Sequence, residues 1–296
     1  MNDRTQSKEN GGKESSNAAS VPTITLPKGG GAIRGIGEKF AANPVTGTGS
    51  MTVPIATSPA RSGFGPQLSL SYDSGAGNGP FGVGWNLSLP SITRKTDKGL
   101  PQYLESDVFI LSGAEDLVPL LTQDAHGNWV REELKPRVVN GIAYQIQRYR
   151  PRIEGLFARL ERWTYSTDAA DTFWRSLSKD NITTWYGRAA ESRIADPADS
   201  SRIFSWLICE SYDDKGNVIA YEYKPEDAAG INLAQAHEAN RNAPPGLPDL
   251  RSANRYIKRV RYGNREPYLP KLEANQPGPI LPADDQCLFE IVFDYG

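Results

Sequence analysis

No apolar run among the 296 residues approaches the ~18–20 that a membrane-crossing helix requires. A charge excess is missing as well: 33 Lys and Arg stand against 35 Asp and Glu, a formal net charge of -2. That balance leaves no basic field to drive nucleic-acid or anionic-membrane binding. Cysteine is nearly absent, with Cys209 and Cys287 far apart and no CxxC pair. This excludes a disulfide framework and the usual zinc spacing, and predicts two buried thiols, with a single disulfide as the alternative. Histidine is limited to His126 and His237, so few His-dependent catalytic or metal sites can be built. The opening MNDRTQSKENGGKESSNAAS has no apolar core or cleavage site of a signal peptide. Export from a bacterial cytoplasm would then use another route. Residues 1–22 are too polar to offset their ordering entropy and are expected to be disordered.

What is present is turn chemistry and short strands. Gly 28 and Pro 22 favour many turns over long helices. In PQLSLSYD, Leu68, Leu70 and Tyr72 fall on one face and serines on the other; WNLSLPSI repeats the period with Trp85, Leu87 and Leu89. HGN (126–128), KDN (179–181) and DKGN (214–217) supply hairpin turns. Turns about ten residues apart predict an all-β, antiparallel chain: a sheet stack, sandwich or barrel. Only AAESRIA near 189–195 and INLAQAHEANR near 231–241 hint at helix. Residues 225–253 and 264–284 read as long Pro-rich insertions, the first mostly exposed. SYDSGAGN (71–78), SYDDKGN (211–217) and FDYG (293–296) each set an aromatic beside Asp and Gly, too irregularly for a solenoid.

GAGNGPFGVGW (75–85) contains a formal GxGxxG at Gly77, Gly79 and Gly82. A dinucleotide loop needs a helix to follow, whereas here Pro80 and three glycines precede a period-two strand. The segment is therefore expected to be a bulged strand-to-strand turn across which Phe81 and Trp85 pack. Neither a Walker A loop nor a GxSxG elbow occurs. His126 in a turn and His237 in a polar loop read as solvated. Glu132-Glu133 and Asp213-Asp214 are adjacent on strands or turns, so their side chains diverge. Asp284-Asp285 lacks identifiable calcium co-ligands. RYIKRVRYGNR (255–265) would place Arg255, Ile257, Arg259 and Arg261 on one face and Tyr256, Lys258, Val260 and Tyr262 on the other. That face is read as solvated or partner-facing rather than as a polyanion stripe. Trp129, Trp163, Trp174, Trp185 and Tyr186 could stack on sugars, but their alternation within strands favours core. No residue is assigned a catalytic, cofactor-binding or metal-binding role.

Several blocks together resemble the SpvB/TcaC N-terminal domain family. They are LPKGGGAI (26–33), SMTVPIATSPARSGFGPQLSLSYDSGAGNGPFGVGWNLSLPSITR (50–94), KGLPQY (98–103), RYRPRIEGLFARLERW (148–163), RYIKRVRYGN (255–264) and FEIVFDYG (289–296). The resemblance spans roughly residues 23–296. It implies an all-β module that begins the hollow shell of insecticidal toxin-complex B components, continued by RHS/YD-repeat strands. The partners it implies are the pore-forming A component and the C protein whose toxic C-terminus is enclosed; YDDKGN fits such a shell. The other setting it implies is the front of an actin ADP-ribosylating effector. Arginine-directed transferases carry an ExE pair, and none occurs in this sequence, so that activity would lie downstream of Gly296. The strand ending at FDYG would leave an open sheet edge, as expected of a fragment or truncated product.

Overall fold

The computed structural model describes residues 39–43, 47–112, 115–153, 157–241, 253–272 and 281–295. Residues 1–22, read as disordered, and the LPKGGGAI block lie outside the described residues. Five N-terminal strands come first: β1 (Lys39–Asn43), β2 (Thr48–Ile55), β3 (Leu68–Asp73), β4 (Asn78–Gly79) and β5 (Gly82–Val83). With β6 (Trp85–Leu87) they make a four-stranded sheet, β1-β2-β3-β6, and a two-stranded ribbon, β4-β5. The chain then enters a large sheet through β7 (Ser91–Arg94), β8 (Phe109–Leu111) and β9 (Glu115–Pro119). A separate ribbon follows, β10 (Leu121–Gln123) with β11 (Trp129–Arg131). The large sheet resumes with β12 (Lys135–Val139), β13 (Ile142–Pro151), β14 (Arg159–Tyr165), β15 (Asp168–Leu177) and β16 (Thr183–Tyr186). It finishes with β17 (Arg193–Asp196), β18 (Asp199–Tyr212), β19 (Val218–Pro225), β20 (Arg255–Asn264) and β21 (Cys287–Val292).

Every strand pair among the described residues is antiparallel. The two helical hints are short 3-10 turns, Ala190–Ser192 and Ala236–Arg241, the former running straight into β17. All three expected hairpin turns form. Two of them share one hydrogen-bond pattern that follows from D-x-x-G-N. Asp124 accepts from His126 N and Asn128 N, both at 2.8 Å, and from Asn128 Nδ2 at 3.1 Å. Asp213 accepts from Lys215 N at 3.0 Å, Asn217 N at 2.9 Å and Asn217 Nδ2 at 2.8 Å. Gly127 and Gly216 take φ of 81° and 85° at the position where a side chain would strain.

Eight strands close on themselves in the order β7-β8-β9-β13-β14-β15-β16-β18 and back to β7. The 14-residue β18 makes closure possible. One of its edges carries β17 and then β16; the other carries β7 at 205–207 and then β19 at 210–212. Its first half thus completes the barrel wall, and its second half also starts a wing, β19-β20-β21. Register and burial place Ile92, Phe109, Leu117, Tyr149, Leu160, Trp174, Tyr186 and Trp206 on the inward face. Phe109 meets Tyr149, Trp174 and Trp206 with ring centroids 5.9, 5.0 and 5.7 Å apart. Each such side chain contributes roughly 1.5–3 kcal/mol of burial.

A second core lies between the wing and the N-terminal sheet. There Ile219, Ile257, Val260 and Tyr262 pack against Phe64, Phe81, Leu87, Phe289 and Ile291. The chain therefore uses both a barrel and a sandwich. GAGNGPFGVGW is the expected turn, drawn into the β4-β5 ribbon, but Phe81 and Trp85 do not meet across it. Phe81 reaches Phe293 and Tyr295, at 6.1 and 5.8 Å, and Trp85 packs at a tilt against Tyr72 at 5.3 Å. The expected face assignment in β20 also fails. Its pairing with β19 shifts between Glu222 and Tyr223, a bulge that leaves Lys258 unmatched and turns Ile257 onto the buried face with Val260 and Tyr262.

Gly187 sets the approach of the β16–β17 connection to the barrel. Its φ is +62°, and a Cβ there would stand 2.3 Å from Trp206 Cδ1. Gly187→Ala is expected to destabilise by about 2–4 kcal/mol in urea melts, because backbone strain and steric overlap act together. At Gly127, φ is +81° with nothing near the added Cβ, so Gly127→Ala should cost only about 1–2 kcal/mol. Equal losses at the two sites would contradict this packing.

Candidate functional site

The outer face of the barrel is not open to water all the way round. Along β13, β14, β15 and β16 the period of two that points Trp174 inward points Tyr144, Trp163, Phe173 and Trp185 outward, and the register shift in β18 turns Tyr212 outward although Trp206 faces in; yet these too are buried. Part of their cover, over Tyr212 and Trp163, is the segment after β20, read from sequence as an insertion. Residues 265–272 run back across this face as a strap. Asn264 Nδ2 and Tyr268 N donate to Gly216 O at 2.8 and 2.9 Å. Tyr268 packs edge-on to Tyr212 at 5.5 Å and is itself buried. Arg137 lies over Trp163 at 5.8 Å and donates to Leu272 O at 2.9 Å. Gly216 is required here for a second reason: a Cβ would meet Pro267 Cβ at 2.9 Å.

Beside the strap is a cavity of about 610 Å³, walled by Arg188, Cys209, Tyr221, Tyr223, Tyr268 and Leu281, among others. A buried carboxylate, Glu210, forms part of its lining. Tyr268 Oη donates to Glu210 Oε1 at 2.6 Å, and Arg188 Nη1 donates to Oε2 at 3.1 Å. The Arg188 guanidinium lies 5.1 Å over the Trp185 ring. Burial pushes the Glu210 carboxyl above the usual range, while Arg188 and Tyr268 pull it back. Cys209, in the β16–β18 register shift, has its thiol against Trp185 O at 3.3 Å, and burial pushes its pKa up to about 11. It is a protonated, poorly nucleophilic thiol near neutral pH. Both cysteines are free, as expected, but each is only partly buried rather than fully so. The pocket's two most reactive groups are thus already engaged in holding the strap and the barrel.

The remaining sequence candidates are dispersed. Arg259 donates to Glu222 at 2.8 Å, Asp284 at 3.0 Å and Glu290 at 3.2 Å. Arg261 pairs with Glu222 and with Asp284, the latter at 2.7 Å. The basic strand is therefore neutralised within the chain, and Asp284 is held by arginines. Glu132 is clamped by Arg148, with Nε–Oε2 at 2.6 Å, and by Lys135 at 3.2 Å. Asp214 accepts from Asn181 at 3.3 Å while its neighbour Asp213 organises the turn. His126 is in the β10–β11 turn, and the His237 side chain is 72% exposed. No cluster of three or more His, Cys, Asp or Glu among the described residues is placed to hold a metal ion. Of the five aromatics considered for sugar stacking, four are core and only Trp129, at 68%, is exposed. Sequence reasoning missed Arg188, Glu210 and Tyr268. The signal was a Glu at an apolar strand position, buried only because a tyrosine 58 residues onward caps it.

Two carboxylates give opposite pH responses. Arg148, chiefly through its hydrogen bonds, holds Glu132 at about 2, so its contribution to stability is full above the ordinary 4.5 and is lost as pH falls toward 2. Glu210 is raised, so its contribution is full below 4.5 and declines as pH rises through its higher folded value. Glu132→Gln should flatten the acid limb of a stability–pH curve measured by urea unfolding. Glu210→Gln should flatten the decline above 4.5. An acid limb unchanged in Glu132→Gln would contradict the assignment.

Comparison with known proteins follows the same architecture. Residues 43–296 match the family model described as Salmonella virulence plasmid 65kDa B protein. The mono(ADP-ribosyl)transferases SpvB of Salmonella choleraesuis and Salmonella typhimurium are each 36% identical over 285 residues, 96% of this chain and 44% of theirs. The chain thus spans less than half the length of these curated relatives. The N-terminal domain of effector protein SpvB from Salmonella typhimurium strain LT2 superposes with a TM-score of 0.62 at 36% identity, covering 73% of this chain and 64% of that one. The TcdB2-TccC3 crystal structure gives a TM-score of 0.70 at 32% identity, over 93% of this chain and 12% of that one. A Photorhabdus luminescens Tc holotoxin pore gives 0.69 at 32% identity, over 95% and 12%. A match to one family over residues 43–296, with curated relatives 36% identical over 96% of the chain, leads to one conclusion: the chain belongs to the SpvB family, that of the Salmonella virulence plasmid 65kDa B protein.

Proposed function

We propose that this chain is a structural and interaction module of a bacterial toxin: the first part of the β shell of a toxin-complex B component, which encloses and helps deliver a toxic C-terminal partner. The observation that carries the reading is the superposition of 93% of the chain on TcdB2-TccC3. The free sheet edge supports it. Among the described residues β21 pairs only with β20, and its outward side chains Leu288 and Val292 are 51% and 54% exposed. Such an edge is a template for a further strand, with backbone groups supplying affinity and apolar side chains supplying cover. The basic pair Arg259 and Arg261, Glu132 and Glu210 are all engaged in contacts within the chain, consistent with a module whose work is packing and enclosure. The alternative is a non-catalytic front of a SpvB-like ADP-ribosylating effector. It is favoured by one number, the higher identity to SpvB, 36% over 285 residues.

An immunoblot of the producing cell with antibody against residues 50–94 separates these readings from a free-standing module. A band far above 32.5 kDa is expected, and sequencing that product should show RHS/YD repeats after Gly296. A proline-rich linker and an ExE-bearing domain there would select the effector instead. A band at 32.5 kDa would contradict both. In the larger product, Leu288→Lys with Val292→Lys should leave urea stability of the isolated 296-residue chain within about 0.5 kcal/mol while exposing the enclosed partner to protease. Unchanged protection would mean that this edge receives no strand.

A further inference from the structure

Three tyrosines line the cavity beside the strap: Tyr221 and Tyr223 of β19, and Tyr268 of the strap itself. Burial pushes the phenols of Tyr221 and Tyr223 well up, yet both residues keep part of their surface accessible, as side chains lining an internal space do. On their other sides Tyr221 packs against both hydrophobic cores and Tyr223 against the second, which holds the rings in place. Tyr268 is packed on Tyr212, and Trp185 carries the Arg188 guanidinium. Among the described residues, neither Tyr221 nor Tyr223 is paired with another ring or a guanidinium in this way. Two fixed, electron-rich ring systems are thus left for a partner from outside the chain.

Charge selects the partner. Among the described residues of the lining, Arg188 is the one cation, and it is paired with Glu210 at 3.1 Å. Glu222 is held by Arg259 at 2.8 Å and by Arg261. Glu191 remains: it is exposed, and among the described residues it enters no ion pair or hydrogen bond. Its 3-10 turn, Ala190–Ser192, is tied by Ser192 Oγ donating to Ala189 O at 2.8 Å and lies against β19, the strand that bears both tyrosines. A free carboxylate over open aromatic faces suits a cation. Hydrogen bonding narrows the kind of cation. A primary ammonium brings about three N–H donors, which need acceptors. Both oxygens of Glu210 and both of Glu222 are already engaged. A quaternary ammonium has no donor to satisfy and is held by ring faces and charge alone. The volume of about 610 Å³ falls in the range of roughly 300–1,000 Å³ typical of small-molecule sites, so the group's substituents can be housed as well.

We propose that this cavity binds a quaternary ammonium group, its alkyl groups against Tyr221 and Tyr223 and its charge met by Glu191 at the mouth. The site is independent of the shell reading above.

Isothermal titration of the 296-residue chain with choline, and separately with neohexyl alcohol, its uncharged carbon isostere, tests the preference. Choline is expected to bind about tenfold more tightly than the alcohol. Glu191→Gln, an exposed change that should leave stability unaltered, is expected to weaken choline about threefold and leave the alcohol as it was. Tyr221→Leu should abolish the preference for the cation. Phosphocholine separates two sources of the group: binding tighter than that of choline selects a phosphocholine headgroup, weaker binding selects a free ammonium compound, and either upholds the site. Equal affinity for choline and the alcohol, or no saturable binding of choline, would overturn the proposal. Choline binding unchanged in Glu191→Gln would overturn it as well. If Tyr221→Leu fails to fold, the isostere comparison and Glu191→Gln decide.

Discussion

The structure depends on a single constraint: β18 must serve two sheets at once. Over its first half it pairs with β7 and β17; over its second it pairs with β16 and β19. Without that double pairing, β16 and β7 would be two open edges of a flat sheet, and the row of aromatics between them would face water. Closure removes those edges. It also fixes where the wing begins, because β19 can pair only where β18 has run past β7. The register shift between Trp185 and Tyr186 lies at this changeover, where the strand leaves one partner set for the other.

The same geometry explains why so many charged residues are buried on the outside of the barrel. A strand alternating across a closed wall presents every second side chain outward, and one sector of that outer face is roofed by the strap. Glu210 lies under the strap, and Glu161 and Arg175 are buried among the outward tryptophans. Glu161 takes Arg175 at 2.8 Å and the Trp163 indole at 3.0 Å; Glu210 takes Arg188 and Tyr268. Breaking one member of such a pair leaves an uncompensated buried charge, which costs far more than an exposed pair contributes. These charges specify how the strap and strands register. Chemistry directed outward is left to edges and projections: β21, and the β10–β11 ribbon that bears Trp129.

Much of this was legible in the sequence where local rules decide. Asp, Gly and Asn at fixed offsets fixed the hairpins at 124–128 and 213–217, and period two marked β3 and β6. The shared D-x-x-G-N of those two turns is a local signal as well, read off five consecutive residues in each. What could not be read was set by distant contacts. Closure joins Thr93 to Ser205 and Ile92 to Trp206, more than a hundred residues apart. A bulge at Lys258 moved Ile257 to the opposite face from the one period two assigns, and no local residue announces it. Tyr268 lies among prolines and polar residues, which read as loop; its burial depends on Tyr212 and Glu210 waiting on another strand. The basic run at 255–265 looked solvent- or partner-facing because its carboxylate partners, Glu222, Asp284 and Glu290, come from three other segments.

The shared role of β18 is tested most directly by native-state hydrogen exchange resolved along residues 200–212. The account expects the hydrogen-bonded amides of both halves to exchange together with those of β14 and β15, only through the most globally unfolded state. Amides at 208–212 that exchange at a distinctly lower free energy, in step with β19–β21 while 200–207 remains protected, would show that the second half belongs to the wing alone. The barrel would then not be closed by this strand, and the central claim would fail.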